Sequence, residues 1–237
     1  VAIEIVRTIV EDGRTLVDGE RASAEGGTRD TSLLLRRDGA NLELVLGNVV
    51  LLSSAALETE LAFGRLAKGA LERTHPCARV VVGGLGFGAT LRGVLEVASR
   101  ETQVVVVEKL RAVVDVARAE ASVLVGGALE DPRVELRQLD VADVIASAEP
   151  SSLSAILLDV DNGPEWASFR SNARLYADAA LARARRALAP GGIFAVWSGY
   201  PADAFVRTLR KAGFVPRVEP LRERGVVRAR AYIGSLS

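Results

Sequence analysis

Apolar positions along the chain fall into two textures that meet near residue 76. Up to residue 54, runs rich in Val, Ile and Leu at 2–10, 32–36, 42–46 and 49–52 alternate with Asp12-Gly13, Asp18-Gly19, Gly26-Gly27, Asp38-Gly39 and Gly47-Asn48. Runs bounded by Asp-Gly and Gly-Asn pairs predict hairpins of a small antiparallel sheet, because those pairs supply the positive φ of tight turns. Ser53 or Ser54 then offers an N-cap. The stretch 55–73 has helical composition, with Glu58 and Glu60 early, where a helix dipole favours acids.

After Pro76, buried-type runs at 79–82, 103–107, 134–139, 155–158 and 193–197 alternate with helical stretches at 90–99, 111–122, 141–148 and 172–188. Strands alternating with helices of this size predict βαβ units and a parallel sheet covered on both faces. A further helix at 202–212 precedes two runs, 214–221 and 226–233, that flank Arg222–Gly225 and close the chain as a hairpin. The pattern is that of an α/β, class I methyltransferase (Rossmann-like) fold: a seven-stranded sheet ending in an antiparallel hairpin, preceded by a small N-terminal antiparallel β subdomain. It divides the chain into a β-rich segment over 1–54, a connecting helix over 55–76 and the α/β domain over 77–237.

At 237 residues the chain buries one substantial core, and its 30 basic and 30 acidic residues cancel, so no global field favours nucleic acid or an anionic membrane. Cys77 is the only cysteine, which excludes an intrachain disulfide and points to a reducing, cytoplasmic compartment. His75 is the only histidine, so neither a histidine-rich metal site nor a Ser-His-Asp triad is expected. No apolar run approaches the roughly 18–20 residues of a spanning helix.

The sharpest local signal is Val80-Val81-Val82-Gly83-Gly84-Leu85-Gly86-Phe87-Gly88-Ala89-Thr90, a buried strand running through glycines into a helix. Gly84, Leu85, Gly86, Phe87 and Gly88 form a candidate cofactor-binding turn, where missing Cβ atoms let backbone approach a ligand. By itself the turn also fits the G-x-G-x-x-G/A dinucleotide pattern. Glu108 ends the next strand, about 20 residues on, where an acid can accept from both ribose hydroxyls. Asp140 ends the third strand and either contacts an adenine amine or caps the helix beginning at Val141. Lys109 and Val141 complete the candidate set. Leu188-Ala189-Pro190-Gly191-Gly192, a helix stop and sharp turn, and the terminal hairpin resemble elements of class I methyltransferase-like domains, and that resemblance implies a sulfonium nucleoside rather than NAD.

These residues resemble the spermidine synthase (polyamine aminopropyltransferase) family. His75-Pro76-Cys77-Ala78-Arg79-Val80-Val81-Val82-Gly83-Gly84, Thr90-Leu91-Arg92 and Asp131-Pro132-Arg133-Val134 are similar to its H-P…G-G, T-L-R and D-P-R-V segments. The resemblance implies S-adenosylmethionine or decarboxylated S-adenosylmethionine as co-substrate, no metal, a small-molecule acceptor and a homodimer joined partly through the β-rich segment. In the family, Glu108 falls on the ribose-binding acid and Asp140 on the adenine-contacting one.

Ile156-Leu157-Leu158-Asp159-Val160-Asp161-Asn162-Gly163-Pro164 sets two carboxylates and an amide at the carboxyl edge of the fourth strand, the usual crevice of an open α/β sheet. Asp159, Asp161 and Asn162 are the candidate catalytic residues, with Asp159 also reaching the cofactor. The family carries D-x-x-D here. Asp159 sits on its first acid but Asn162 on its second, so either Asp161 substitutes or the site no longer takes a diamine. The family's amine-holding loop acid is replaced by Phe87. That exchange forfeits a charge-assisted hydrogen bond of about 1.5–3 kcal/mol, of which a cation–π contact returns about 0.5–2 kcal/mol. The family's Tyr-His/Gln-Glu cluster would fall near Glu60-Leu61-Ala62, without aromatic or imidazole. Three readings stand: an aminopropyl or other alkyl transferase with an altered polyamine half, an ordinary small-molecule methyltransferase, and a non-enzymatic binding or dimerisation protein.

Overall fold

The computed structural model describes residues 3–10, 32–47, 49–74, 78–160, 163–164 and 170–236. Strands β1 (Ile3–Val10), β2 (Ser32–Asp38), β3 (Asn41–Leu46) and β4 (Val49–Ser53) pair antiparallel in chain order. Leu33 and Leu35 on β2, and Leu42 and Leu44 on β3, are buried at the period of two that a one-sided sheet requires. The hairpin turns between β2, β3 and β4 use Gly39 (φ +59°) and Gly47 (φ +56°), as the Asp-Gly and Gly-Asn pairs predict. The pairs at 12–13, 18–19 and 26–27 lie outside the described residues.

The single helix expected over 55–73 is two helices, α1 (Leu57–Arg65) and α2 (Ala67–Thr74), entered through a 3₁₀ turn at Ser54–Ala56. Ser53 caps that turn by accepting from the Ala55 N–H at 3.4 Å. The division follows Gly64, where α1 crosses α3 (Ala89–Val97) backbone to backbone. A Cβ at Gly64 would lie 2.1 Å from the Thr90 carbonyl oxygen, and one at Gly93 2.1 Å from that of Leu61.

The second sheet contains β5 (Arg79–Gly83), β6 (Gln103–Val107), β7 (Val134–Arg137), β8 (Leu153–Leu158), β9 (Leu188–Ser198), β10 (Val215–Glu223) and β11 (Val226–Ser235). Its spatial order is β10-β11-β9-β8-β5-β6-β7, with β11 antiparallel to both neighbours and the strands from β9 to β7 parallel. Strand alternation divides the interior. Val80, Val82, Val104 and Val106 face one core, whereas Val81, Val105 and Val107 face the other. Helices α3, α4 (Arg111–Arg118) and α5 (Ser122–Val125) contribute buried residues to the first core, which also takes in Leu33, Leu35, Leu42 and Leu44 of the small sheet. Helices α6 (Val141–Ser147), α7 (Asp178–Ala187) and α8 (Asp203–Lys211) contribute to the second. Each buried Val or Leu contributes about 1.5–3 kcal/mol relative to exposure. No helix among the described residues is long and apolar enough to cross a membrane.

Other boundaries also differ from expectation. The helix expected over 111–122 ends at Arg118, and the strand expected over 134–139 ends at Arg137. The helix expected over 172–188 begins as a 3₁₀ turn at Arg170–Tyr176 before α7. The Pro-Gly-Gly turn expected ahead of β9 lies inside it as a bulge. Leu153 pairs with Leu188 and Ala155 with Ile193, so β9 carries extra residues that Gly191 accommodates at φ +81°.

Candidate active site

Chain connections run in opposite directions from β5 and its neighbour β8, which opens a crevice at their carboxyl ends. There Gly84 (φ +92°), Gly86 (φ +51°) and Gly88 (φ +78°) turn β5 into α3. The Gly84 N–H donates to the Val107 carbonyl at 2.8 Å and the Asp159 N–H to that of Gly83 at 2.7 Å. A Cβ on Gly84 would lie 2.1 Å from the Asp159 carbonyl oxygen, so turn and acid meet through main chain alone. Leu85 and Phe87 are buried in the core, Phe87 at 2 % exposure. The ring that stands in for the family's amine-holding acid is thus a packing group.

Glu108 leaves β6 directly beside the turn and is 9 % exposed. Its Oε2 accepts from the Leu85 N–H at 3.0 Å and its Oε1 from the Leu110 N–H at 2.8 Å. These ties orient the carboxylate against the glycine turn and the start of α4. Asp140 is the N-cap of α6, its Oδ1 accepting from the Ala142 N–H at 2.9 Å. Its Oδ2 accepts from the Arg174 guanidinium and lies 3.9 Å from Lys109 Nζ. The capping role is therefore present, together with an ion pair that covers the other oxygen. Val141, the first residue of α6, is buried against the end of β5; a Cβ on Gly83 would lie 2.9 Å from its Cγ2.

Across the turn from Glu108 stands Asp159. Its Oδ2 accepts from Thr90 Oγ1 at 2.5 Å. Burial raises its carboxyl to about 6, against a smaller lowering by the Thr90 hydroxyl. Glu60, on α1, is held well above the usual carboxylate range by burial and then by the charges of Asp159 and Glu223. The Glu60 side chain has no hydrogen-bond or ion-pair partner among the described residues. Both acids are thus raised at this corner, Asp159 by burial and Glu60 by burial together with neighbouring negative charge. Helix α1 is fixed over this corner by the hairpin and by β9. The Glu58 N–H donates to Glu223 Oε2 at 3.0 Å, the Arg224 N–H to Glu58 Oε2 at 2.8 Å, and Trp197 Nε1 to Thr59 Oγ1 at 3.2 Å.

Asp161 and Asn162 lie outside the described residues, as do His75, Pro76, Cys77, Trp166 and Phe169. Beyond Asp161 and Asn162 the chain returns against β9, since a Cβ on Gly163 would lie 2.0 Å from Ser198 Oγ. Asn172 Nδ2 donates to the Val160 carbonyl at 3.4 Å. Tyr176 is a core residue in edge contact with Phe205 at 5.6 Å between ring centroids, whereas Tyr200 is exposed.

Two residues at this corner carry little signal in the sequence. Thr90 stands out there only as part of Thr90-Leu91-Arg92, and Glu60 only as an acid at a helix start and as the place of a missing aromatic cluster. Both enter the site because α1 and α3 cross at Gly64 and Gly93, and small residues on two helices are the only sequence trace of that crossing.

No family model matches the chain. A polyamine aminopropyltransferase of Mycobacterium tuberculosis is 32 % identical over 143 residues, covering 57 % of this chain and 26 % of the relative. Polyamine aminopropyltransferase 2 of Pseudomonas aeruginosa is 32 % identical over 202 residues, covering 80 % of this chain and 55 % of the relative. The chain thus spans about a quarter to just over half of the curated relatives it matches. Among solved structures, the spermidine synthase of Thermotoga maritima superposes with a TM-score of 0.67 at 18 % identity, over 90 % of this chain and 72 % of that one. Human methyltransferase-like protein 13, solved in complex with SAH, superposes with a TM-score of 0.56 at 22 % identity, over 76 % and 82 %. These two likenesses establish the fold. The chain is thus spermidine synthase-like, similar in sequence to polyamine aminopropyltransferases and alike in fold to spermidine synthase and methyltransferase structures.

Proposed function

We propose that the protein is a spermidine synthase-like transferase that takes S-adenosylmethionine or decarboxylated S-adenosylmethionine. It moves an aminopropyl or methyl group to a small-molecule acceptor. The observation that carries this reading is Asp159: a buried carboxyl raised to about 6, at the strand end that touches the glycine turn. Such a group is ionised at neutral pH yet basic enough to take a proton. In the reaction the acceptor's lone pair forms a bond to carbon as the carbon–sulfur bond breaks, and the sulfonium leaves as a neutral thioether. The proton released from the acceptor passes to Asp159. Glu108 holds the ribose hydroxyls, and Gly84, Gly86 and Gly88 let the donor lie against main chain, with Lys109, Asp140 and Val141 on its adenine side. The protein's contribution is alignment, exclusion of water and a base, since the sulfonium is already a good leaving group.

The buried Phe87 ring supports methyl transfer as the second reading, because the turn then offers no acid for the aminopropyl ammonium of a decarboxylated donor. Titration calorimetry with S-adenosylmethionine, its decarboxylated form and methylthioadenosine separates the readings. A preference for the decarboxylated donor supports aminopropyl transfer. Equal or tighter association of the carboxylated donor supports methyl transfer. No heat with any of the three overturns both.

A further inference from the structure

We propose that Thr90 is the positioning residue for Asp159, keeping that carboxyl hydrogen-bonded in both of its protonation states. The proposal rests on the reading of Asp159 as the proton acceptor. Thr90 lies in the first turn of α3 and is 2 % exposed. Its Oγ1 has two acceptors in reach, Asp159 Oδ2 at 2.5 Å and the Glu60 main-chain oxygen at 3.2 Å. A hydroxyl has one hydrogen and two lone pairs, so only one of them receives it at a time.

The two arrangements match the two states of a base. With Asp159 ionised, the Thr90 hydrogen points at Oδ2. Once the acceptor's N–H or O–H bond has broken and its proton has settled on Oδ2, Asp159 donates to Oγ1 and the Thr90 hydrogen turns to the Glu60 carbonyl. In both states the Thr90–Asp159 hydrogen bond at Oδ2 is kept, so that oxygen gains and loses its proton without losing its partner. The Thr90 main chain is itself pinned by the helix crossing, with its carbonyl 2.1 Å from where a Cβ on Gly64 would lie. The titratable groups facing Asp159 are Glu60 from α1 and, beyond it, Glu223 from β10; both are acids and leave Thr90 as the group that lowers its proton affinity.

The test is a carboxyl ¹³C titration of the ligand-free protein, with the Asp159 resonance assigned by its loss in Asp159→Asn. Thr90→Val is expected to raise the Asp159 midpoint from about 6 by about one to two units, and the acidic limb of turnover with it, because a donor to the charged form has been removed. Thr90→Ser is expected to keep the original midpoint. No movement in Thr90→Val, or equal movement in the Val and Ser variants, overturns the proposal. Should Thr90→Val fail to fold by circular dichroism, Thr90→Ala makes the same comparison, and loss of the fold in both assigns Thr90 to stability alone. The titration needs neither donor nor acceptor. Failure of the reading of Asp159 as the proton acceptor, seen as full turnover in Asp159→Asn, is therefore distinguishable from failure of this one.

Discussion

The acids on the two sides of the glycine turn are held in opposite ways. On the nucleoside side, Glu108 accepts two main-chain N–H groups, and Asp140 combines a helix cap with Arg174 and Lys109. On the acceptor side, Asp159 has one hydroxyl and Glu60 has no partner among the described residues, and both carboxyls are raised. Main-chain and cationic partners on an acid fix where its oxygens point. Sparse hydrogen bonding in a buried place leaves an acid free to exchange a proton. The proposed function reads the first arrangement as recognition and the second as chemistry.

The largest blow to this contrast is expected from Asp159→Asn, which keeps the shape and removes the base. Single-turnover rates should fall by roughly 100- to 10,000-fold, while calorimetry shows adenosyl ligands held as before. Gly84→Ala attacks both sides at once, since its Cβ would sit 2.1 Å from the Asp159 carbonyl oxygen at a φ of +92°. We expect a loss of roughly 2–4 kcal/mol in urea unfolding. Glu108→Ala confines the damage to recognition: every adenosyl ligand weakens by about 10- to 100-fold in calorimetry, and the single-turnover rate at saturation is preserved.

The smallest effect concerns stability against pH. A carboxyl raised in the folded state binds more protons there than in the unfolded chain. Asp159 therefore contributes stability below its ordinary value of 3.8 and loses that contribution as pH rises to about 6. Urea midpoints at pH 4.5 and pH 7 should show this decline in the wild type and a shallower one in Asp159→Asn. Equal slopes in the two proteins would remove burial as the cause of the acceptor side's character.

Much of the sheet is legible in the chain because its signals are local. Val80–Val82, Val104–Val107 and Ile156–Leu158 are apolar runs, and each ends in a glycine or an acid at the edge that faces the crevice. The terminal pair betrays itself through the turn at Arg224-Gly225. What stays hidden depends on contacts between distant segments. Gly64 looks like an ordinary helical residue until α3 is laid against it, and Glu60 looks like a helix-start acid until Asp159 is beside it. The bulge at 188–192 is invisible for a related reason, since a Pro-Gly-Gly turn and a bulged strand start share one composition and differ only in what the partner strand pairs with.

The clasp between Glu58 and the hairpin joins residues 165 and 166 positions apart. On the ribosome, α1 can cross α3 at Gly64 early, but its clasp to Glu223 and Arg224 waits for β10 and β11. The helix that carries Glu60 is therefore held by both halves of the chain only once these strands have been made.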